Sequence, residues 1–185
     1  MKIRVKNQLI PLDHEGAEYK KISAQTSKGQ FTQIFKIQNA KILNLYLKNK
    51  KTLVRKKGQK PSERILFHIT SQENAKKIID TGFKVNLAKT SAFGKGIYFA
   101  ETASNAFRYA NRHKKKALLV CKVVVGRAHE NKSDLSKVIN GYSKPDRLIP
   151  RKGFSSMFGG KKETRVWVVP AGGRILPLYL VLYSG

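Results

Sequence analysis

The chain has 185 residues, 41% of them hydrophobic, and a single cysteine, which suits one domain with a packed core and excludes an internal disulfide and a multi-cysteine zinc site. Thirty-eight Lys and Arg stand against 11 Asp and Glu, a formal charge of +27. Self-repulsion of that size destabilises a compact chain unless a polyanion neutralises it, so the composition points to nucleic acid, RNA or a ribonucleoprotein, ahead of a membrane.

No apolar run reaches the roughly 18 residues of a bilayer-spanning helix. The opening MKIRVKNQLIPLDHEG lacks the apolar centre of a secretory signal. The expectation is an intracellular protein in an RNA-rich compartment, of which the mitochondrion is one, with no membrane and no disulfide-linked partner. Cys121 sits in the apolar stretch LLVCKVVV and reads as a core residue.

Residues 1–30 have few periodic apolar positions and read as a basic, irregular N-terminal arm punctuated by Pro11, Gly16 and Gly29. FTQIFKI (31–37) suits a strand. A helix follows, with Ile42, Leu45, Tyr46 and Asn49 at i, i+3, i+4 and i+7, and Leu43 and Leu47 widening the apolar face. The densest basic run comes next, Lys48, Lys50, Lys51, Arg55, Lys56, Lys57 and Lys60, leading to a loop at Gly58 and Pro61. ERILFHIT is a short buried strand ending at His68. Thr70 or Ser71 caps a helix over SQENAKKIIDTG, with Gly82 as its stop.

GIYFA (96–100) is another strand, and ETASNAFRYANRHKKK a helix with a basic end suited to its dipole. ALLVCKVVVG (117–126) has the unbroken apolar character of a central strand. Residues 127–163 form a long polar connection, and RVWVV and LPLYLVLY are closing strands separated by PAGGR. The class is α+β, strand-rich toward the C-terminus, without regular βαβ alternation.

Several familiar sites are absent. Gly159-Gly160-Lys161 lacks the upstream glycine and the following hydroxyl of a P-loop, and Gly94 and Gly96 precede a strand rather than open a helix. His14, His68, His113 and His129 are scattered without ligand spacing, so no metal is expected.

What remains is an ordered set: KIQN (36–39), ERILFHIT, GF, GKGIYFA, the VCKVVVG strand and LPLYLVLY. In this order it resembles the catalytic domain of the poly(ADP-ribose) polymerase family, in its diphtheria-toxin-like branch, over roughly residues 31–185. The resemblance implies an ADP-ribosyltransferase fold of antiparallel and mixed split sheets with flanking helices, and NAD as substrate. It assigns His68 to an NAD ribose hydroxyl and Tyr98 and Tyr109 to the nicotinamide faces. Phe107, between them, reads as core.

Departures from the family pattern are as telling as the matches. The residue after the motif histidine is normally a glycine whose backbone holds the nicotinamide amide; here it is Ile69. Eight residues past the motif tyrosine the family has a serine on the same amide; here it is Ala106. The slot of the final glutamate, which orients the ribose and activates the hydroxyl for elongation, falls at Val166. Glu163 is three residues away and would fill the slot only in a shifted alignment. A His-Tyr-Val set resembles mono-ADP-ribosyl-transferring or inactive members and argues against polymer synthesis.

Two readings follow. One is an NAD-dependent mono-ADP-ribosyltransferase acting on protein or nucleic acid. The other is the same fold, catalytically lapsed, serving as an RNA-binding component of a ribonucleoprotein such as an organellar ribosome. Within the basic surface the candidate nucleic-acid contacts are the 48–60 run and Arg112, Lys114, Lys115 and Lys116.

Overall fold

The computed structural model describes residues 7–26, 31–57, 62–87, 90–91, 94–110, 116–131, 153–161 and 164–183. In chain order the elements are β1 (Gln8–Pro11), α1 (Ala17–Thr26), β2 (Phe31–Gln38), α2 (Ala40–Lys57), β3 (Glu63–Ser71), α3 (Gln72–Thr81), the two-residue strands β4 (Thr90–Ser91) and β5 (Gly94–Lys95), β6 (Ile97–Ala100), α4 (Ala103–Phe107), β7 (Lys116–Val124), β8 (Ala128–Asn131), β9 (Ser156–Gly159), β10 (Val166–Val169) and β11 (Ile175–Tyr183). Among the described residues 3₁₀ turns lie at Val85–Leu87 and Gly172–Arg174.

Among the described residues nine strands form one sheet in the order β1-β2-β11-β7-β3-β6-β10-β9-β8. Every pairing is antiparallel except β8 with β9. β7, apolar but for its lysines, lies between β11 and β3, as an unbroken hydrophobic strand should. β3 pairs with β7 along its whole length, but with β6 only at Phe67↔Ala100. The sheet is therefore two half-sheets, five strands and four, meeting at one residue pair. This is the split, mixed architecture that the family resemblance implied, within the α+β class.

A core cluster on one side of the sheet gathers Leu66, Leu119, Cys121, Phe99 and Trp167 with Ala75, Ile79 and Phe83 from α3 and the turn after it. The other gathers Phe67, Leu118, Val120, Ala100 and Val181 with Ile22 from α1 and Ala103 and Ala106 from α4. Cys121 is fully buried and its thiol is pushed well up by burial, as an inert core residue.

Helix ends follow local chemistry. Ser71 Oγ accepts from Asn74 N at 3.2 Å to cap α3, and Gly82, at φ 79°, stops it. Asn39 caps α2 by accepting from Ile42 N at 3.1 Å, and its amide donates to Ile79 O at 2.8 Å, so one buried side chain joins the start of α2 to the end of α3. Gly172 lies where a Cβ would stand 1.8 Å from Phe83 O, so only glycine permits that approach.

The structure corrects four expectations. The N-terminal arm is not irregular: β1 pairs with β2, and α1 packs through Ile22. Polar tethers hold α1, since Glu18 accepts from Tyr179 Oη at 2.6 Å and Lys36 Nζ at 2.9 Å, and Tyr183 Oη donates to Thr26 O. The 127–163 connection carries β8 and β9 at its ends, while 132–152 lies outside the described residues.

The helix expected from Glu101 onward spans only Ala103–Phe107 before turn residues, with 111–115 outside the described residues. In α2 the buried positions are Ile42, Tyr46 and Leu53, whereas Leu43, Leu45 and Leu47 are exposed; Tyr46 and Leu53 are the positions that pack with Val124 and Leu176.

Candidate active site

The split between β3 and β6 positions the two motif side chains. At Phe67↔Ala100 the strands touch; beyond it β3 stays with β7 and β6 stays with β10. His68 is the first residue of β3 past the contact, and its Nδ1 lies 2.8 Å from Tyr98 O across the opening. A carbonyl can only accept, so Nδ1 carries the proton and donates, and in the neutral ring Nε2 is an acceptor. The imidazole is half-buried, edge-on to Phe83 at 5.1 Å and tilted against Phe99 at 5.6 Å.

Tyr98 is half-buried, and its hydroxyl donates to Gly94 O at 2.6 Å. Its ring packs against Met157, Val166 and Val168. His68 and Tyr98 are thus joined ring to backbone, with the two rings seated in different clusters. Gly96, just before β6, lies where a Cβ would come within 2.4 Å of Val168 Cγ1, so a side chain there would force β6 away from β10.

Val166 begins β10 opposite Ala100, is 6% exposed, and packs in the same cluster as Tyr98. Ile69 is half-buried against the cluster of Phe67, Ala100 and Ala106, with its backbone paired to Leu118. Ala106 is 2% exposed and part of that cluster, so the position where the family carries a serine is a core contact here. Tyr109 stands 56% exposed after α4, its N–H on Ala106 O at 3.0 Å. Phe107 meets Tyr183 edge-on at 4.6 Å, the core role expected of it.

The basic candidates are scattered differently from their sequence order. Lys48 and Lys51 are exposed on α2, which continues through Arg55, Lys56 and Lys57. Lys50 is engaged instead, 2.8 Å from Glu63 Oε2. Lys116 is half-buried at the start of β7, and Lys60, Arg112, Lys114 and Lys115 lie outside the described residues, as does Glu163. Among the described residues no group of three or more His, Cys, Asp or Glu could hold a metal ion, and no helix is long and apolar enough to cross a membrane.

Two polar clusters escape sequence reading. Glu63 accepts from Lys50 and from the buried Tyr46 hydroxyl, with Lys122 at 4.0 Å. Burial pushes its carboxyl up, but these donors prevail and hold it below the usual range. Glu101 accepts from Trp167 Nε1 at 2.8 Å between the guanidiniums of Arg64 and Arg165, each 3.7 Å away. Arg64 lies 4.7 Å over the Trp167 ring and Arg165 5.0 Å over Phe158. These partners are distant in sequence, so no local pattern announces them.

Comparison with known proteins agrees with this geometry. The family model of the poly(ADP-ribose) polymerase catalytic domain matches residues 16–159. Protein mono-ADP-ribosyltransferase PARP11 of Homo sapiens is 32% identical over 113 residues, 57% of this chain and 33% of that protein. The Mus musculus PARP11 is 30% identical over 109 residues, 55% of this chain and 33% of that protein. Protein mono-ADP-ribosyltransferase PARP14 of Homo sapiens is 34% identical over 100 residues, 52% of this chain and 6% of that protein. The chain spans a third or less of the length of these curated relatives. With its family-model match, ordered motifs and split sheet, the chain belongs to the poly(ADP-ribose) polymerase catalytic-domain family.

Proposed function

We propose that this domain transfers single ADP-ribose units from NAD to an acceptor. The observation that carries the reading is the His68 Nδ1 to Tyr98 O bond at the opening of the sheet, which fixes the imidazole beside the tyrosine with Nε2 as the acceptor of its neutral ring. Two relatives named as mono-ADP-ribosyltransferases support it.

Transfer breaks the bond between the nicotinamide nitrogen and the ribose anomeric carbon. Nicotinamide leaves with the bonding pair, the sugar passes through an oxocarbenium-like state, and an acceptor atom closes the new bond and gives up its proton. Such a reaction needs grip and orientation more than a strong base.

This chain supplies the following. His68 Nε2 accepts from a ribose hydroxyl, the Tyr98 ring presents a flat face, and the exposed Tyr109 ring covers the other side of the base. Val166, packed with Met157 and Val168, offers no oxygen to orient the ribose or to activate the hydroxyl of a first unit. The product therefore stops at one unit. Ile69 and the buried Ala106 weaken the hold on the carboxamide, so NAD binds less tightly than in a pocket with glycine and serine there.

The test is calorimetry with NAD on protein stripped of nucleic acid, followed by labelled NAD and mass spectrometry of the products. Binding that Tyr98→Ala abolishes, with single units on the modified species, is expected. No heat at millimolar NAD would overturn the reading.

A second reading is favoured by one observation, the +27 charge. Here the fold is lapsed as an enzyme and is held on RNA in a ribonucleoprotein, an organellar ribosome in a mitochondrion being one setting. RNA affinity is then expected to fall with salt on a log–log slope of several units. Salt-independent or absent binding would sink it.

A further inference from the structure

We propose that Glu101 is a positioning residue, whose carboxylate ties the two half-sheets together at one end of the split and so sets the separation of His68 and Tyr98 at the other. The proposal rests on the reading of that split as the NAD site.

The backbone alone leaves the half-sheets weakly joined, since β3 meets β6 only at Phe67↔Ala100. A single pair is a fulcrum, and the angle between the two halves must be fixed by side chains on either side of it. On one side stands the His68 Nδ1 to Tyr98 O bond. On the other stands Glu101, the residue after β6. Its Oε1 takes the Trp167 indole N–H at 2.8 Å from β10 and faces Arg64 of β3 at 3.7 Å. The same carboxylate therefore holds groups from both half-sheets.

Arg64 is 49% exposed, but the pair is held from the Glu101 side. The Glu101 side chain is 22% exposed, Arg64 is stacked on Trp167 at 4.7 Å, and Phe158 lies 4.8 Å from Trp167. Arg165 NH1, 3.7 Å away, balances the charge from the four-stranded half.

Rotation about the Phe67–Ala100 contact would lengthen one of these two connections as it compressed the other. Loss of the Glu101 connection thus acts on His68 without touching it. Glu101 does not stand in for the glutamate missing at Val166. Val166 and Trp167 project to opposite faces of β10, and the Glu101 carboxylate is on the Trp167 side.

The experiment reads the His68 tautomer by nitrogen NMR of the imidazole, together with emission from Trp167, the sole tryptophan of the chain. In the wild type His68 is expected as the Nδ1–H form. In folded Glu101→Ala the Trp167 emission shifts, the Nδ1–H signature is lost or averaged, and NAD affinity falls about tenfold, less than the roughly hundredfold that a full 1 Å misplacement can cost. Glu101→Gln keeps an acceptor for the indole and lies between the two.

An unchanged His68 signature in folded Glu101→Ala, with Trp167 emission shifted, overturns the proposal. If Glu101→Ala does not fold, Arg64→Gln removes the contact that crosses between the half-sheets, keeps Trp167 as the reporter, and is read in the same way. A His68 signature that responds while the wild type binds no NAD overturns the NAD reading and leaves the positioning role standing.

Discussion

At Val166 the side chain beside Tyr98 is apolar and 6% exposed, with Met157 and Val168 as its other neighbours. A carboxylate placed there has no described donor to meet, so Val166→Glu is expected to destabilise the domain by roughly 2 to 4 kcal/mol, read as a lowered midpoint in urea. A melt equal to wild type would mean that the cluster opens to solvent. At this scale the sequence told part of the story. His68 and Tyr98 were legible because they sit in ordered motifs. Their joining bond was not, because it depends on two strands diverging after one shared pair. Ala106 was legible as a missing hydroxyl but not as a core residue, since burial is set by α4 packing on Phe67 and Ala100.

Among the elements, Asn39 does the work of two contacts, capping α2 and donating to Ile79 O and Asp80 O at the end of α3. Asn39→Ala is expected to cost about 2 kcal/mol. Asn39→Asp should be no better, because a carboxylate keeps the cap but faces two carbonyl oxygens without a donor; a full rescue by Asp in thermal melts would refute the double role. Electrostatics between elements fix the pH range of stability. Glu18 is held low first by the Tyr179 hydroxyl and then by Lys36, and Glu63 is held low by Lys50 and Tyr46 against its burial.

Folded values below the ordinary 4.5 mean that the unfolded chain takes up protons first. Their stabilisation is present above about pH 4.5 and is lost as pH falls through the folded values. Tyr179 and Tyr183, both pushed up to about 12 chiefly by burial, act in the opposite sense, stabilising below pH 10 and losing that contribution as pH rises toward 12. Melting temperature is expected to be flat between these limits, and Glu63→Gln to shallow the acid limb; an unaltered limb would assign the acid loss to other groups. The sheet strands with continuous apolar runs were readable from sequence, whereas α1 and β1 were not. Their hold comes from Tyr179, Tyr183 and β2, far along the chain.

For the molecule as a whole the +27 charge predicts opposite responses to one variable. Salt screens self-repulsion, the Debye length shrinking from about 10 Å at 0.1 M to about 3 Å at 1 M, so the free protein should melt higher as sodium chloride is raised. Any RNA complex should weaken over the same range. A free protein that melts lower in salt would show that its attractive pairs, such as Lys36–Glu18 and Lys50–Glu63, outweigh the repulsion.

The place of β11 in the sheet has a consequence for biosynthesis. Residues 175–183 lie between β2 and β7, so the five-stranded half is incomplete until they have been translated. Until then β2 and β7 each present an unpaired hydrogen-bonding edge, the apolar β7 among them, and a nascent chain in that condition is open to association with its neighbours. The domain must therefore fold after most of it has left the ribosome, and a chain stopped at residue 174 is expected to aggregate, however complete its His68 and Tyr98 motifs.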